Sequence, residues 1–122
     1  MKNYVLIAVS TAGLFLAAPA QAGDAAAGAK VFKKCRACHY VDRKKNKSGP
    51  HLVNVVGRAA GVVEGFKYSK AMAGSGLVWD ETILTGFLAK PKKYLKGTKM
   101  SFAGLKKESD IANVIAYLKA AK

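Results

Sequence analysis

Cys35-Arg36-Ala37-Cys38-His39 is the stretch on which the reading of this 122-residue chain turns. A C-x-x-C-H run is the attachment signature of c-type haem. Two thiols at this spacing can each add to one of the two vinyl groups of the porphyrin, forming two thioethers. The residue that follows, His39, is then held beneath the iron and can ligate it through a ring nitrogen. The chain has no cysteines beyond these two, and its second histidine is His51. Three other uses of such a pair compete with this one. An oxidising compartment would favour a disulfide. A thioredoxin-like redox pair needs a βαβ context, and no strand alternation is visible. Zinc needs four ligands, and His51 lacks the finger-like spacing. The histidine directly after Cys38 favours covalent haem over all three.

Working outward, the N-terminus has the form of a secretory signal peptide. Lys2 is a short positive n-region, residues 4–16 are apolar, and Ala20-Gln21-Ala22 is an A-x-A cleavage site before Gly23. The apolar run is short for a membrane span and is soon interrupted by Pro19 and Gln21. The expected division is therefore a signal peptide over 1–22 and one domain over 23–122, exported to a bacterial periplasm. An uncleaved anchor is the alternative. A domain of that size buries only a modest core by itself, so a covalent porphyrin would serve as its apolar centre, and the haem-free chain is expected to be largely unfolded. The 21 Lys plus Arg against 7 Asp plus Glu give a net charge of +14; loss of Lys2 leaves 20 minus 7, or +13. Two haem propionates would not reverse that sign. Such a charge selects acidic partners: nucleic acid, anionic membrane or acidic protein surfaces.

The pattern is helical throughout, without repeats or low-complexity segments. Asp24 suits an N-cap, with Gly28, Phe32 and Cys35 on one face of a first helix. Residues 42–58 read as a loop carrying Arg43-Lys44-Lys45-Asn46-Lys47 and Ser48-Gly49-Pro50, and residues 61–65 as a turn. A short helix is expected over 68–73, then a helix capped by Asp80 through Ala89. Pro91 opens another short one through Leu95. The last helix is the clearest, with Ile111, Val114, Ile115 and Leu118 at i, i+3, i+4 and i+7. Glu108 and Asp110 lie at its start, Lys119 and Lys122 at its end, so that charge complements the dipole.

With His39 on one face of the iron, the other face needs a ligand. A thioether suits haem iron, and a His/Met pair raises its potential. Met72 sits in an apolar helical stretch, where methionine is ordinarily core filler. Met100 sits in Gly97-Thr98-Lys99-Met100-Ser101-Phe102-Ala103-Gly104, an extended loop that can present a side chain to a flat ring. Met100 is the better candidate and Met72 the rival.

The chain resembles a small soluble class I cytochrome c of the mitochondrial and purple-bacterial type. The resemblance runs from Gly23-Asp24 to Leu118. It is carried by Lys30-Val31-Phe32 before the haem motif, Ser48-Gly49-Pro50 with Leu52, and Gly57-Arg58. Further on it is carried by Gly65-Phe66-Lys67-Tyr68-Ser69, Val78-Trp79, Pro91-Lys92-Lys93-Tyr94, the Met100 loop and Ile115-Ala116-Tyr117-Leu118. It implies an all-α, single-domain class I cytochrome c fold, short helices and loops wrapped around one covalent haem c. It implies thioethers at Cys35 and Cys38 and axial ligation by His39 and Met100. The Pro50 carbonyl would accept from the far ring nitrogen of His39. Tyr68 and Trp79, with Arg58 nearby, would bind or neutralise a buried propionate. Thr98 would join a polar network beside the haem, Phe102 would cover the ring, and Gly28 and Phe32 would pack across Tyr117. Without the resemblance, the aromatics would be read as core packing and Arg58 as a solvated charge. Two positions depart from the family: Phe87 stands where a Tyr is usual, and Met72 where an Asn is common. Both remove polar groups expected to bind a water near the iron.

Two strong axial ligands leave no site for substrate, so the expected function is one-electron transfer rather than catalysis. The resemblance implies a ring of lysines (Lys34, Lys92, Lys93, Lys99, Lys106 and Lys107) around the exposed haem edge, steering docking onto acidic partners. It also implies a quinol–cytochrome c oxidoreductase as donor, a terminal oxidase or photosynthetic reaction centre as acceptor, and a monomeric carrier without stable membrane insertion or nucleic-acid partner. The alternative is a haem enzyme or gas sensor with a labile sixth ligand.

Overall fold

The computed structural model describes residues 8–14 and 23–121. The expected signal peptide over 1–22 lies mostly outside the described residues, as does Lys122. The described chain forms α1 (Ala25–Phe32), α2 (Lys70–Ala73), α3 (Glu81–Ala89), α4 (Pro91–Tyr94) and α5 (Glu108–Ala120). Among the described residues there is no strand. Two isolated antiparallel bridges, His39 with Asn46 and Ala59 with Val78, pin the long loops. No described helix is long and apolar enough to cross a membrane.

The helix boundaries follow from their caps. The Asp24 carboxylate accepts from the backbone N–H groups of Ala26 and Ala27, and that of Asp80 accepts from Ile83 N–H. These bonds satisfy donors that a helix start leaves open. Ser69 Oγ accepts from Met72 N–H, so α2 begins at Lys70 rather than at Tyr68. Pro91 opens α4 at a position where its missing N–H costs nothing. Leu95, expected inside α4, has left the helix with φ −130°. Cys35 also differs from expectation, since α1 ends at Phe32. The chain then tightens into turns in which Cys35 N–H bonds Phe32 O at 2.8 Å and His39 N–H bonds Cys35 O at 3.0 Å. The haem motif is thus a turn appended to a helix.

The main helix contact is α1 against α5. Gly28 is buried where the two backbones meet, and a Cβ there would run into the Asn113 carbonyl and stand 2.8 Å from Tyr117 Cβ. Asp24 N–H donates to Asn113 Oδ1 at 2.8 Å, and the rings of Phe32 and Tyr117 lie 5.2 Å apart. Ile111, Val114, Ile115 and Leu118 all point inward, as the i, i+3, i+4, i+7 pattern requires. They join Leu84, Phe87, Leu88 and Leu105 in the core. An exposed ion pair between Lys119 and Glu81 joins α5 to α3 and adds little.

Because α1 and α5 touch backbone to backbone at Gly28, Gly28→Ala is expected to lower unfolding free energy by about 1–3 kcal/mol. Ala29→Ser, one residue along on the exposed side, should stay within about 0.5 kcal/mol of the parent. Denaturant unfolding of the haem-loaded variants measures both.

Candidate functional site

An apolar cavity of about 720 Å³ occupies the centre of the fold. The turn after α1 supplies Cys35, Cys38 and His39 to its wall, and the loop of residues 42–58 supplies Asn46 to Pro50, Leu52, Val55 and Arg58. The segment before and within α2 supplies Phe66, Tyr68 and Met72, and Trp79 follows. Leu84, Phe87 and Leu88 come from α3, Thr98, Met100 and Phe102 from the loop before α5, and Val114 and Leu118 from α5 itself. All eight residues singled out from sequence therefore line one cavity: Cys35, Cys38, His39, Arg58, Tyr68, Trp79, Thr98 and Met100. Of the lysines expected around its mouth, Lys34 and Lys99 line it, joined by Lys47 and Lys67. Lys92, Lys93, Lys106 and Lys107 are exposed but do not line it.

His39 is 9% exposed and its Nδ1 lies 2.6 Å from Pro50 O. A carbonyl only accepts, so Nδ1 carries the proton and Nε2 keeps a lone pair. Burial pushes the imidazole pKa below its ordinary value, and the positive charges of Arg58 and Lys47 push the same way. The bond to Pro50 opposes them. The ring is thus neutral near pH 7, the form that ligates a metal. Gly49 makes room for it: a Cβ there would overlap His39 Cε1 and stand 2.7 Å from Nδ1. Gly49 N–H also bonds Cys38 O at 2.9 Å, strapping the loop to the motif. No disulfide joins Cys35 and Cys38. Burial raises the pKa of the Cys35 sulfur, helped by Cys38 and opposed by Lys34. No group of three or more His, Cys, Asp and Glu is gathered for a metal ion among the described residues.

Arg58 supplies the test of fit for a haem. Its Nη1 donates to Val53 O at 3.0 Å and its Nη2 to His51 O at 3.1 Å, while Nε is buried and unpartnered. Burial pulls its pKa below the usual guanidinium value, the cost of desolvating a cation. A guanidinium lining an apolar cavity with one N–H unmatched fits a ligand that is mostly hydrocarbon with a carboxylate at one edge. Nearby, Tyr68 Oη accepts from Val63 N–H at 3.1 Å, and its ring packs edge-on against Phe66. The rings of Trp79 and Phe87 meet tilted at 54°, with centroids 4.9 Å apart. Thr98 Oγ1 lies 3.4 Å from Met100 N.

Sequence reasoning missed Asn46. Its Nδ2 donates to Glu64 O at 3.1 Å and its Oδ1 accepts from His51 N–H at 3.0 Å. It ties the loop of residues 42–58 to the turn at 61–65. Its only signal was an uncharged residue inside a basic run.

The cytochrome c family model matches residues 25–122. Cytochrome c2 iso-2 of Magnetospirillum fulvum is 55% identical over 89 residues, covering 73% of this chain and 93% of its own. Cytochrome c2 of Blastochloris viridis is 46% identical over 112 residues and 88% of each chain. The solved structure of cytochrome cH from Methylobacterium extorquens superimposes with a TM-score of 0.77 at 47% identity, covering 80% of this chain and 99% of that one. A mostly helical chain wound around such a cavity, with this sequence likeness, belongs to the cytochrome c family. It has the class I cytochrome c fold, carries covalently bound haem c and is an electron-carrier cytochrome.

Gly49→Ala would drive a methyl group into the His39 ring. It is expected to cut the yield of haem-loaded protein and to lower unfolding free energy by about 1–3 kcal/mol. Haem absorbance per mole of chain and denaturant unfolding check it, with Ala29→Ser as the reference.

Proposed function

We propose that the chain is a periplasmic one-electron carrier that shuttles between membrane redox complexes through a six-coordinate haem. In this reading His39 and Met100 are the axial ligands, and Cys35 and Cys38 hold the two thioethers. Arg58, Tyr68, Trp79 and Thr98 hold the polar edge and the surroundings of the ring. Haem c supplies, when bound, an iron that accepts and gives one electron. The observation that carries the ligand assignment is the 2.6 Å bond from His39 Nδ1 to Pro50 O, which fixes the ring and leaves Nε2 free. Met100 lines the same cavity from a loop whose polypeptide turns at Gly97 and Gly104, both at positive φ.

The remaining residues keep water out and keep the site rigid. Trp79, Leu84, Phe87 and Leu88 are buried, so little dipolar medium is near enough to reorient when charge changes. A site that changes little on electron transfer serves a carrier better than an enzyme. The homology to cytochromes c2 and the 1–22 leader support residence in the periplasm, with cleavage before Gly23. The partners proposed are a quinol–cytochrome c oxidoreductase as donor and a terminal oxidase or photosynthetic reaction centre as acceptor, met by a monomeric carrier.

Visible spectra of oxidised and reduced protein test the ligand set. The parent should be low-spin with a methionine-to-iron charge-transfer band. Met100→Ala should lose the band, lower the reduction potential and bind carbon monoxide, because the thioether stabilises reduced iron. Met72→Leu should leave all three unchanged. The reverse pattern would make Met72 the ligand, and a high-spin parent that binds carbon monoxide would favour a haem enzyme or gas sensor.

Docking is tested by charge reversal. Lys99 lines the mouth of the cavity, with Nζ 3.3 Å from Lys67 O, whereas Lys30 lies on α1 away from it. Lys99→Glu should slow association with an acidic partner more than Lys30→Glu, though both change net charge equally. The rate should also fall as salt rises, since exposed charges are screened beyond about 8 Å at physiological ionic strength. Lys119 is unsuited as the reference because its reversal would set two carboxylates together at Glu81. Equal slowing by the two variants would mean that net charge alone governs docking.

A further inference from the structure

His51 takes no part in the machinery described so far, yet it is fastened to it at three points. Its backbone carbonyl accepts from Arg58 Nη2 at 3.1 Å, and Val53 O, two residues on, accepts from Nη1 at 3.0 Å. The side chain closes the turn between those two carbonyls, because Val53 N–H donates to His51 Nδ1 at 3.3 Å. The His51 N–H is anchored separately to Asn46 Oδ1. The imidazole thus spans the two residues that hold the fork of Arg58, whose buried Nε is unmatched at the cavity wall.

We propose that His51 is a proton-responsive positioning residue for Arg58, so that adding an electron to the protein draws a proton onto the His51 imidazole. The proposal rests on the carrier reading above. To accept from Val53 N–H, Nδ1 must be bare and Nε2 must carry the proton. Protonation places a hydrogen on Nδ1, facing the Val53 N–H. The bond is lost, the turn from 51 to 53 loosens, and the two carbonyls cease to be fixed for Arg58. A positive charge also appears beside the guanidinium.

The charged groups that face the His51 ring are Arg58 and Lys44. Partial burial and those two cations favour the neutral ring and push its pKa below the ordinary value. Titration therefore falls below about pH 6.5. Reduction lowers the charge of the site by one unit, which favours the protonated ring. One electron enters from the donor, and up to one proton enters from solvent onto Nδ1. By reciprocity, a proton on His51 favours the reduced protein.

The test is the reduction potential of the haem-loaded protein measured from about pH 4.5 to about pH 8, a range that brackets the ordinary histidine value of about 6.5. The parent's potential should fall as pH rises through the His51 titration. His51→Asn supplies an oxygen that can accept from the same N–H but does not titrate. It should match the parent at pH 8 and lose the His51 part of the slope. His51→Ala lacks the acceptor as well, and should lose the slope and depart from the parent already at pH 8. A proton-NMR titration should give His51 a higher pKa in the reduced than in the oxidised protein. A parent slope that survives intact in His51→Asn would assign the proton to another group, such as a haem carboxylate, and overturn the proposal. Agreement of the Asn and Ala variants at pH 8 would overturn the positioning role. Loss of the reversible one-electron couple in the parent would instead bring down the carrier reading on which the proposal rests.

Discussion

The wall of the central cavity is drawn from α1, α2, α3, α5 and the loops between them, and this is what the other features of the fold serve. A cavity of about 720 Å³ lined by Leu, Val, Phe, Trp and Met side chains is unfavourable when empty, because its lining atoms lack contact partners. Filling it with a porphyrin held by two thioethers removes that cost and turns the centre into a core. The helices are correspondingly short, with α2 and α4 one turn each. Apart from α4, which lines no part of the cavity, they act less as independent elements than as pieces of lining joined by loops. The long loops keep their shape through bonds that bypass secondary structure, such as Gly49 N–H to Cys38 O and Leu52 N–H to Tyr40 O.

Two layers of control over the site are chemically distinct. On the His39 side, polar groups fix geometry: Pro50 orients the ring, Gly49 gives it space, and Asn46 ties the loop down. Elsewhere the wall is largely apolar, with Met72, Leu84, Phe87 and Leu88 in it and Met100 among them. Such surroundings disfavour a net positive centre. They therefore act in the same direction as the thioether, toward the reduced state.

Much of this was legible in the residues because local rules agree with one another. Asp24 and Asp80 cap the helices they precede, Pro91 opens α4, and the spacing of Ile111, Val114, Ile115 and Leu118 buries one face of α5. The haem motif announced the cofactor, and family likeness gathered Arg58, Tyr68, Trp79 and Thr98, which the structure brings to the same cavity. Periodicity misled at Cys35, because helical spacing continues past Phe32 on paper while the backbone changes to tighter turns. Asn46 was illegible because its role is to bond a carbonyl at Glu64 and an N–H at His51. Such bonds depend on loop shape, which residue types alone do not specify. The lysines were half legible for a similar reason. Sequence clustering sets how many there are, but the path of the loops decides that Lys47 and Lys67, not Lys92 and Lys93, rim the opening.

The pairing of α1 with α5 also sets an order of events during folding. Gly28 meets Asn113, and Asp24 meets the same residue 89 positions later, so the first helix has no partner until the last one reaches it. Long-range closure of this kind is slow and comes late. During that interval Cys35 and Cys38 belong to an open chain, accessible to whatever enzyme delivers the porphyrin. Arrival of the last thirteen-residue helix then shuts the compartment. A chain whose two end helices met early would seal its thiols away before a cofactor reached them.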